Sequence, residues 1–113
     1  MKQESLDRLI EIGGKDLAIK VIQLFFQHVP ERVTTLKSGL EEGNADIVMR
    51  MAHSIKSSAA NLGLETLRNL SQNIESLANK GQTKDCIPLV HSLDEAVENA
   101  YVILRETQKK LEY

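Results

Sequence analysis

Residues 52–63 have the sequence Ala52-His53-Ser54-Ile55-Lys56-Ser57-Ser58-Ala59-Ala60-Asn61-Leu62-Gly63 and are predicted to lie on one helix. At about 100° per residue, one broad side of this helix is apolar. That stripe consists of Val48, Met51, Ala52, Ile55, Ala59 and Leu62. His53 lies about 150° from the middle of the stripe. The stripe is expected to pack into a core, and the histidine is expected to face solvent.

The residues around His53 are a cation and small side chains. Lys56 lies at i+3 and is a neighbour of His53 on the helix surface. Ser57 and Ala60 also lie near His53, and neither side chain is large enough to cover an imidazole. An exposed histidine followed by a lysine is usually only part of a solvated face. The small residues around both favour a functional interpretation, in which the imidazole is reachable and has a positive charge beside it.

Length and composition predict a single helical domain over residues 1–113. An apolar content of 42%, no tryptophan and two prolines suit a helical bundle better than a sheet protein. The net charge of -2 gives no reason to expect nucleic acid, which favours a basic face. The single cysteine, Cys86, fits a reducing compartment, and no apolar run approaches the length of a membrane span. A cytoplasmic domain without membrane contact is therefore expected.

Helix signals divide the chain into six predicted helices. Their ranges are about 5–13, 16–28, 30–43, 44–63, 64–79 and 83–111, with glycines at most of the boundaries. Pro30 is expected to start the third helix or to kink the chain, and Pro88 to be tolerated only in the first turn of the last helix. Short turns make successive helices antiparallel neighbours. The prediction is an all-α, up-down antiparallel four-helix bundle with short additional N-terminal helices and a core over about 30–111.

The turn at Gly63 brings a carboxylate level with the histidine. Reflecting residue numbers about this turn pairs 53 with 75, 56 with 72 and 60 with 68, so Glu75 is expected beside His53. A carboxylate there can accept the Nδ1 proton of the imidazole, which leaves Nε2 with a free lone pair. Taken alone, Glu75 is equally compatible with an ordinary surface carboxylate.

The stretch that starts at His53 resembles the signature of histidine-containing phosphotransfer (Hpt) domains, the middle carriers of phosphorelays. Their usual pattern is His-x-Leu-Lys-Gly-(small)-(small)-x-x-(apolar)-Gly. The positions that fit are His53, Lys56, Ser58, Ala59, Leu62 and Gly63. Ser57 stands where the family most often has glycine.

The resemblance implies a role for each site residue. His53 would be the phosphoryl acceptor, Lys56 would stabilise the phosphoryl group, and Glu75 would orient the imidazole, as Gln or Glu commonly does in this family. Ser57 and Ala60 would leave steric access to the ring. The phosphoryl group would come from the aspartyl phosphate of a response-regulator receiver domain and pass to another receiver aspartate.

The resemblance also has implications for cofactors, oligomeric state and protein context. It would have no ATP site, because the sequence contains no P-loop and no kinase glycine-rich loop. It would carry no cofactor, because Mg²⁺ is expected on the receiver partner. It would be a monomer, either free-standing or a module of a hybrid sensor histidine kinase. Two other functions compete with the phosphocarrier. One is a helical adaptor that binds a partner protein without chemistry. The other is a metal-binding bundle, for which the sequence has no convergent Glu-x-x-His ligands.

Overall fold

The computed structural model describes residues 1–112, and these form four helices. They are α1 (Gln3–Glu41), α2 (Ala45–Asn61), α3 (Glu65–Asn79) and α4 (Thr83–Glu112). Each helix packs against the next one in sequence, and α1 also packs against α4, which closes the bundle. The prediction of an all-α, up-down four-helix bundle is therefore confirmed.

The first helix is interrupted near its beginning. Gly13 (φ -141°, ψ 15°) and Gly14 (φ 74°, ψ -173°) are not helical, so residues 3–12 form a separate short helix that we call the N-terminal arm. The arm begins at the α2–α3 turn, where the backbone N–H of Lys2 donates to the carbonyl of Gly63 at 3.1 Å. This is one of the short additional N-terminal helices that the sequence predicts.

Gly63 allows the arm to approach the turn closely. Its φ of +64° is in the left-handed region that favours glycine. A Cβ atom at this position would lie 2.6 Å from the hydroxyl oxygen of Ser5 and 2.8 Å from the backbone nitrogen of Lys2. A side chain here would therefore push the arm away from the end of α2.

Both prolines lie inside helices, which corrects two predictions. Residues 15–41 form one helix that runs through Pro30, so the separate helices predicted over 16–28 and 30–43 were wrong. Pro30 is exposed, and the buried Val29 and Val33 lie on either side of it in sequence. A proline inside a helix costs about 3 kcal/mol, while each buried aliphatic side chain contributes about 1.5–3 kcal/mol, so packing keeps the helix continuous. Pro88 is the sixth residue of α4 and lies in its second turn, not its first.

The core runs along the whole bundle axis. The predicted apolar stripe of α2 faces it, with five of its six members buried and Met51 partly buried. The main part of α1 contributes buried side chains from Ala18 onward, so the core begins earlier than the predicted boundary near residue 30. Among the largest fully buried side chains are Ile22, Leu36, Ile55, Leu62, Leu67, Ile74, Leu93 and Leu104.

Candidate functional site

His53 lies on the solvent side of α2, as its position on the helical wheel predicts. Its neighbours Ala52 and Ile55 are fully buried, whereas the imidazole is 61% exposed. Packing of the opposite face therefore fixes the direction in which the ring points. A reagent can reach the imidazole without any rearrangement of the core.

Glu75 of α3 holds one edge of the imidazole. Its Oε2 lies 2.6 Å from Nδ1 of His53. The α2–α3 hairpin thus places Glu75 at the level that reflection about the turn predicts. Nε2, the other ring nitrogen, makes no hydrogen bond to any of residues 1–112.

Lys56 is bound to the same carboxylate. Its Nζ donates to Oε1 of Glu75 at 2.6 Å and to Oε1 of Gln72 at 3.3 Å. The Lys56 side chain is 21% exposed and the Glu75 side chain 18% exposed, so both are partly buried beside the exposed imidazole. An ammonium has three protons, so one donor of Lys56 stays free after these two contacts.

The charge state of Glu75 determines the tautomer of His53. Burial raises the pKa of Glu75, but hydrogen bonds from Lys56 and His53 and their positive charges hold this pKa below its ordinary value. The carboxylate is therefore ionised near neutral pH and can only accept hydrogen bonds. Nδ1 of His53 must be the donor, and Nε2 keeps its lone pair as a nucleophile.

Ser57 and Ala60 are exposed and lie on the same side of α2 as His53. The hydroxyl of Ser57 donates to the carbonyl oxygen of His53 at 3.2 Å. Its proton is therefore used within the helix. Gln72 is a residue that the sequence interpretation did not assign. The reflection that pairs 56 with 72 contained the signal, but an uncharged side chain gave no reason to select it.

The family of the chain follows from its sequence. The sequence model of the Hpt domain family matches residues 20–101, which includes every site residue described above. The chain belongs to the Hpt domain family. A search of curated proteins gives no match. As an Hpt domain, it is a phosphorelay phosphocarrier, and its partners include receiver domains.

A solved structure has the same fold. The histidine-containing phosphotransfer protein B (HptB) from Pseudomonas aeruginosa PAO1 superposes with a TM-score of 0.90 over 97% of this chain and 95% of that chain. The two sequences are 20% identical. At this identity the likeness concerns the fold, including the arrangement of four helices around one core.

Other features of this Hpt domain lie apart from His53. A cavity of about 470 Å³ lies between α3 and α4 and is not lined by any of the site residues. Within residues 1–112, no group of three or more His, Cys, Asp and Glu side chains is placed to hold a metal ion. No helix in the same range has the length and apolar character needed to cross a membrane.

Proposed function

We propose that His53 is the residue that carries the phosphoryl group. The observation that supports this most is the 2.6 Å hydrogen bond between Nδ1 and Glu75, which leaves an exposed Nε2 with a lone pair. In the proposed reaction His53 takes the group from a receiver's aspartyl phosphate and passes it to the aspartate of another receiver.

The proposed step is one in-line displacement at phosphorus. Nε2 forms the new N–P bond while the P–O bond to the receiver aspartate breaks, and the electron pair of that bond leaves on the aspartate carboxylate. The imidazole gains positive charge, which the ionised Glu75 stabilises through the Nδ1 proton. No proton has to be removed from Nε2, because its lone pair is free at the start. The reverse of this step returns the phosphoryl group to a second receiver.

Lys56 supplies the cationic support in this proposal. Phosphoryl transfer is assisted mainly by positioning and by charge near the equatorial oxygens. The free donor of Lys56 can turn to a phosphoryl group on His53, because Glu75 holds both side chains at one level. Ser57 and Ala60 leave room for the receiver's loops.

The wider context of the domain is also a proposal. Mg²⁺ and the remaining catalytic groups would belong to the receiver, because this chain's proposed part is a nucleophile, a cation and an orienting carboxylate. The domain would work as a monomer in the cytoplasm. It would lack an ATP site of its own, and it would be either free-standing or a module of a hybrid sensor kinase.

The experiment is phosphoryl transfer from phosphorylated receivers to the wild type and to His53→Gln. Wild-type protein should gain acid-labile, base-stable phosphate, and the variant should gain none. Melting should change little, because the side chain lies outside the core. His91→Gln, on the exposed face of α4, is the matched control and should transfer normally. Stable receiver binding without any phosphate on the wild type would instead indicate a helical adaptor.

A further inference from the structure

Two arginines from different helices lie at the same end of the bundle. Arg8 of the N-terminal arm and Arg68 of α3 line a predominantly polar cavity of about 300 Å³ beside the α2–α3 turn. Glu4, Lys2 and Glu65 also line this cavity, and Lys2 and Glu65 form a salt bridge at 2.7 Å. Among residues 1–112, no carboxylate lies within 4.0 Å of the guanidinium group of either arginine. Both are available to an external anion.

The arginines lie on the same side of the domain as His53. Ala60 lines the cavity with them and is exposed. It is seven residues after His53, which on a helix is roughly 10 Å along the axis and within about 20° of the same direction. Along the axis of α2, Lys56 lies between His53 and Ala60. The cavity lining has three basic and two acidic side chains, so a small excess of positive charge lies at this end of the face that carries His53.

A receiver centred on His53 would reach this cavity. A stable interface buries about 800 Å² on each partner, which corresponds to a disc with a radius of roughly 16 Å. Such a disc extends past Ala60 to the arm. The Mg²⁺ site of a receiver is built from carboxylates, so acidic side chains lie next to its phosphoaspartate.

We propose that Arg8 and Arg68 form a cationic docking rim that pairs with acidic side chains next to the phosphoaspartate of a receiver. This inference rests on the proposed function of His53. The arm then has a role in recognition, and Gly63 matters because it allows the arm to lie against the turn. A rim charge acts mainly on association, so the rim speeds encounter and selects receivers without taking part in the chemical step.

The test compares Arg8→Glu, Arg68→Glu and the double variant with Lys84→Glu. Lys84 is exposed in the first turn of α4, at the opposite end of the bundle from the α2–α3 turn. Its replacement by glutamate changes the net charge by the same amount as each single arginine variant. The receiver is the one in a panel that phosphorylates the wild type fastest. Each arginine variant should lower kcat/KM roughly three- to tenfold at low salt and leave the rate at saturating receiver unchanged. At 1 M salt, where the Debye length is about 3 Å, the loss should disappear.

Several outcomes would contradict the proposal of a docking rim. One is a double variant that behaves like Lys84→Glu, and another is a loss that is the same at low and high salt. A loss confined to the rate at saturating receiver would also contradict it. If the arginine variants behave normally while His53→Gln accepts no phosphate, the rim fails and the proposed function stands. If the arginine variants weaken binding to a beryllofluoride-activated receiver but His53→Gln still accepts phosphate, the proposed site fails instead.

Discussion

The molecule contains two clusters that each combine a histidine, a lysine and a carboxylate. In the first, His53 and Lys56 of α2 both bind Glu75 of α3, each at 2.6 Å. In the second, Lys37 of α1 pairs with Asp94 of α4 at 2.8 Å, and His91 lines the same groove. Within residues 1–112, His91 has no hydrogen bond to a carboxylate. The two clusters have the same composition and different geometry.

Burial separates the two clusters. The Lys37 and Asp94 side chains are 44% and 49% exposed, whereas those of Lys56 and Glu75 are 21% and 18% exposed. An exposed ion pair contributes about 0–1 kcal/mol, since water and salt screen it. The half-buried carboxylate interacts more strongly with each partner, and it fixes the tautomer of an imidazole whose other side is open. In the first cluster one partly buried carboxylate therefore binds both an imidazole and a lysine, an arrangement that residue composition alone does not provide.

The largest expected difference is between the two lysines. Lys56→Ala should slow phosphoryl transfer roughly ten- to hundredfold in both directions, because a charge-assisted contact in the transition state is typically worth about 1.5–3 kcal/mol. Lys37→Ala should leave transfer unchanged, since its pair lies on another seam of the bundle. Single-turnover rates measure both. Equal rates for wild type and Lys56→Ala would mean that Lys56 has no role in phosphoryl transfer.

Steric access should be the next largest difference. Ser57→Gln introduces a good helix former, so the helix should stay intact, but it places a longer side chain at i+4 from His53. Transfer should therefore fall about tenfold or more at low receiver concentration. Ser92→Gln, next to His91 on the exposed face of α4, is the matched control and should have no effect. Quench-flow transfer assays measure this. A wild-type rate for Ser57→Gln would mean that the receiver does not dock over this face.

Loss of the shared carboxylate should have a smaller effect on rate. Glu75→Ala removes the orientation of the ring and leaves the nucleophile and cation, so we expect a decrease of several-fold. The Nδ1–H form of His53 should become less populated, which ¹⁵N chemical shifts of the imidazole report. Asp94→Ala should leave the His91 shifts unchanged, because no hydrogen bond joins the two. An unchanged His53 tautomer balance in Glu75→Ala would remove the proposed role of Glu75.

The smallest expected effect is on stability in acid. The folded protein holds the pKa of Glu75 below its ordinary value of 4.5. Folding therefore favours the ionised form, and its contribution is complete above about pH 4.5 and lost as the pH falls through the lower folded pKa. Between about pH 6 and about pH 3, the unfolding free energy of the wild type should decrease more than that of Glu75→Gln. Urea titrations test this, and parallel pH dependences would show that Glu75 gains nothing from its partners.

The sequence was sufficient for features set by local periodicity. The direction of His53 followed from the wheel of one helix, and the level of Glu75 followed from one tight turn. Features set by packing between distant segments could not be obtained in this way. The helix continues through Pro30 because buried residues on both sides hold it, and the propensity of proline points the other way.

The same limit applies within the site. The spacing of Lys56 placed it next to His53, but its two hydrogen bonds depend on how far Glu75 and Gln72 reach across the seam. Arg8 and Arg68 line one cavity because of the direction that Gly14 gives the N-terminal arm. Neither the hydrogen bonds of Lys56 nor the position of the arm is encoded in a helical period.

The proposed function requires that Nε2 of His53 receives the phosphoryl group. The most direct measurement is NMR of the protein, ¹⁵N-labelled at histidine, after transfer from a phosphorylated receiver. We expect ³¹P to couple to Nε2 of His53 alone, while His28 and His91 keep the spectra of the unphosphorylated protein. Phosphorus bonded to His91, to His28 or to Nδ1 of His53 would contradict it.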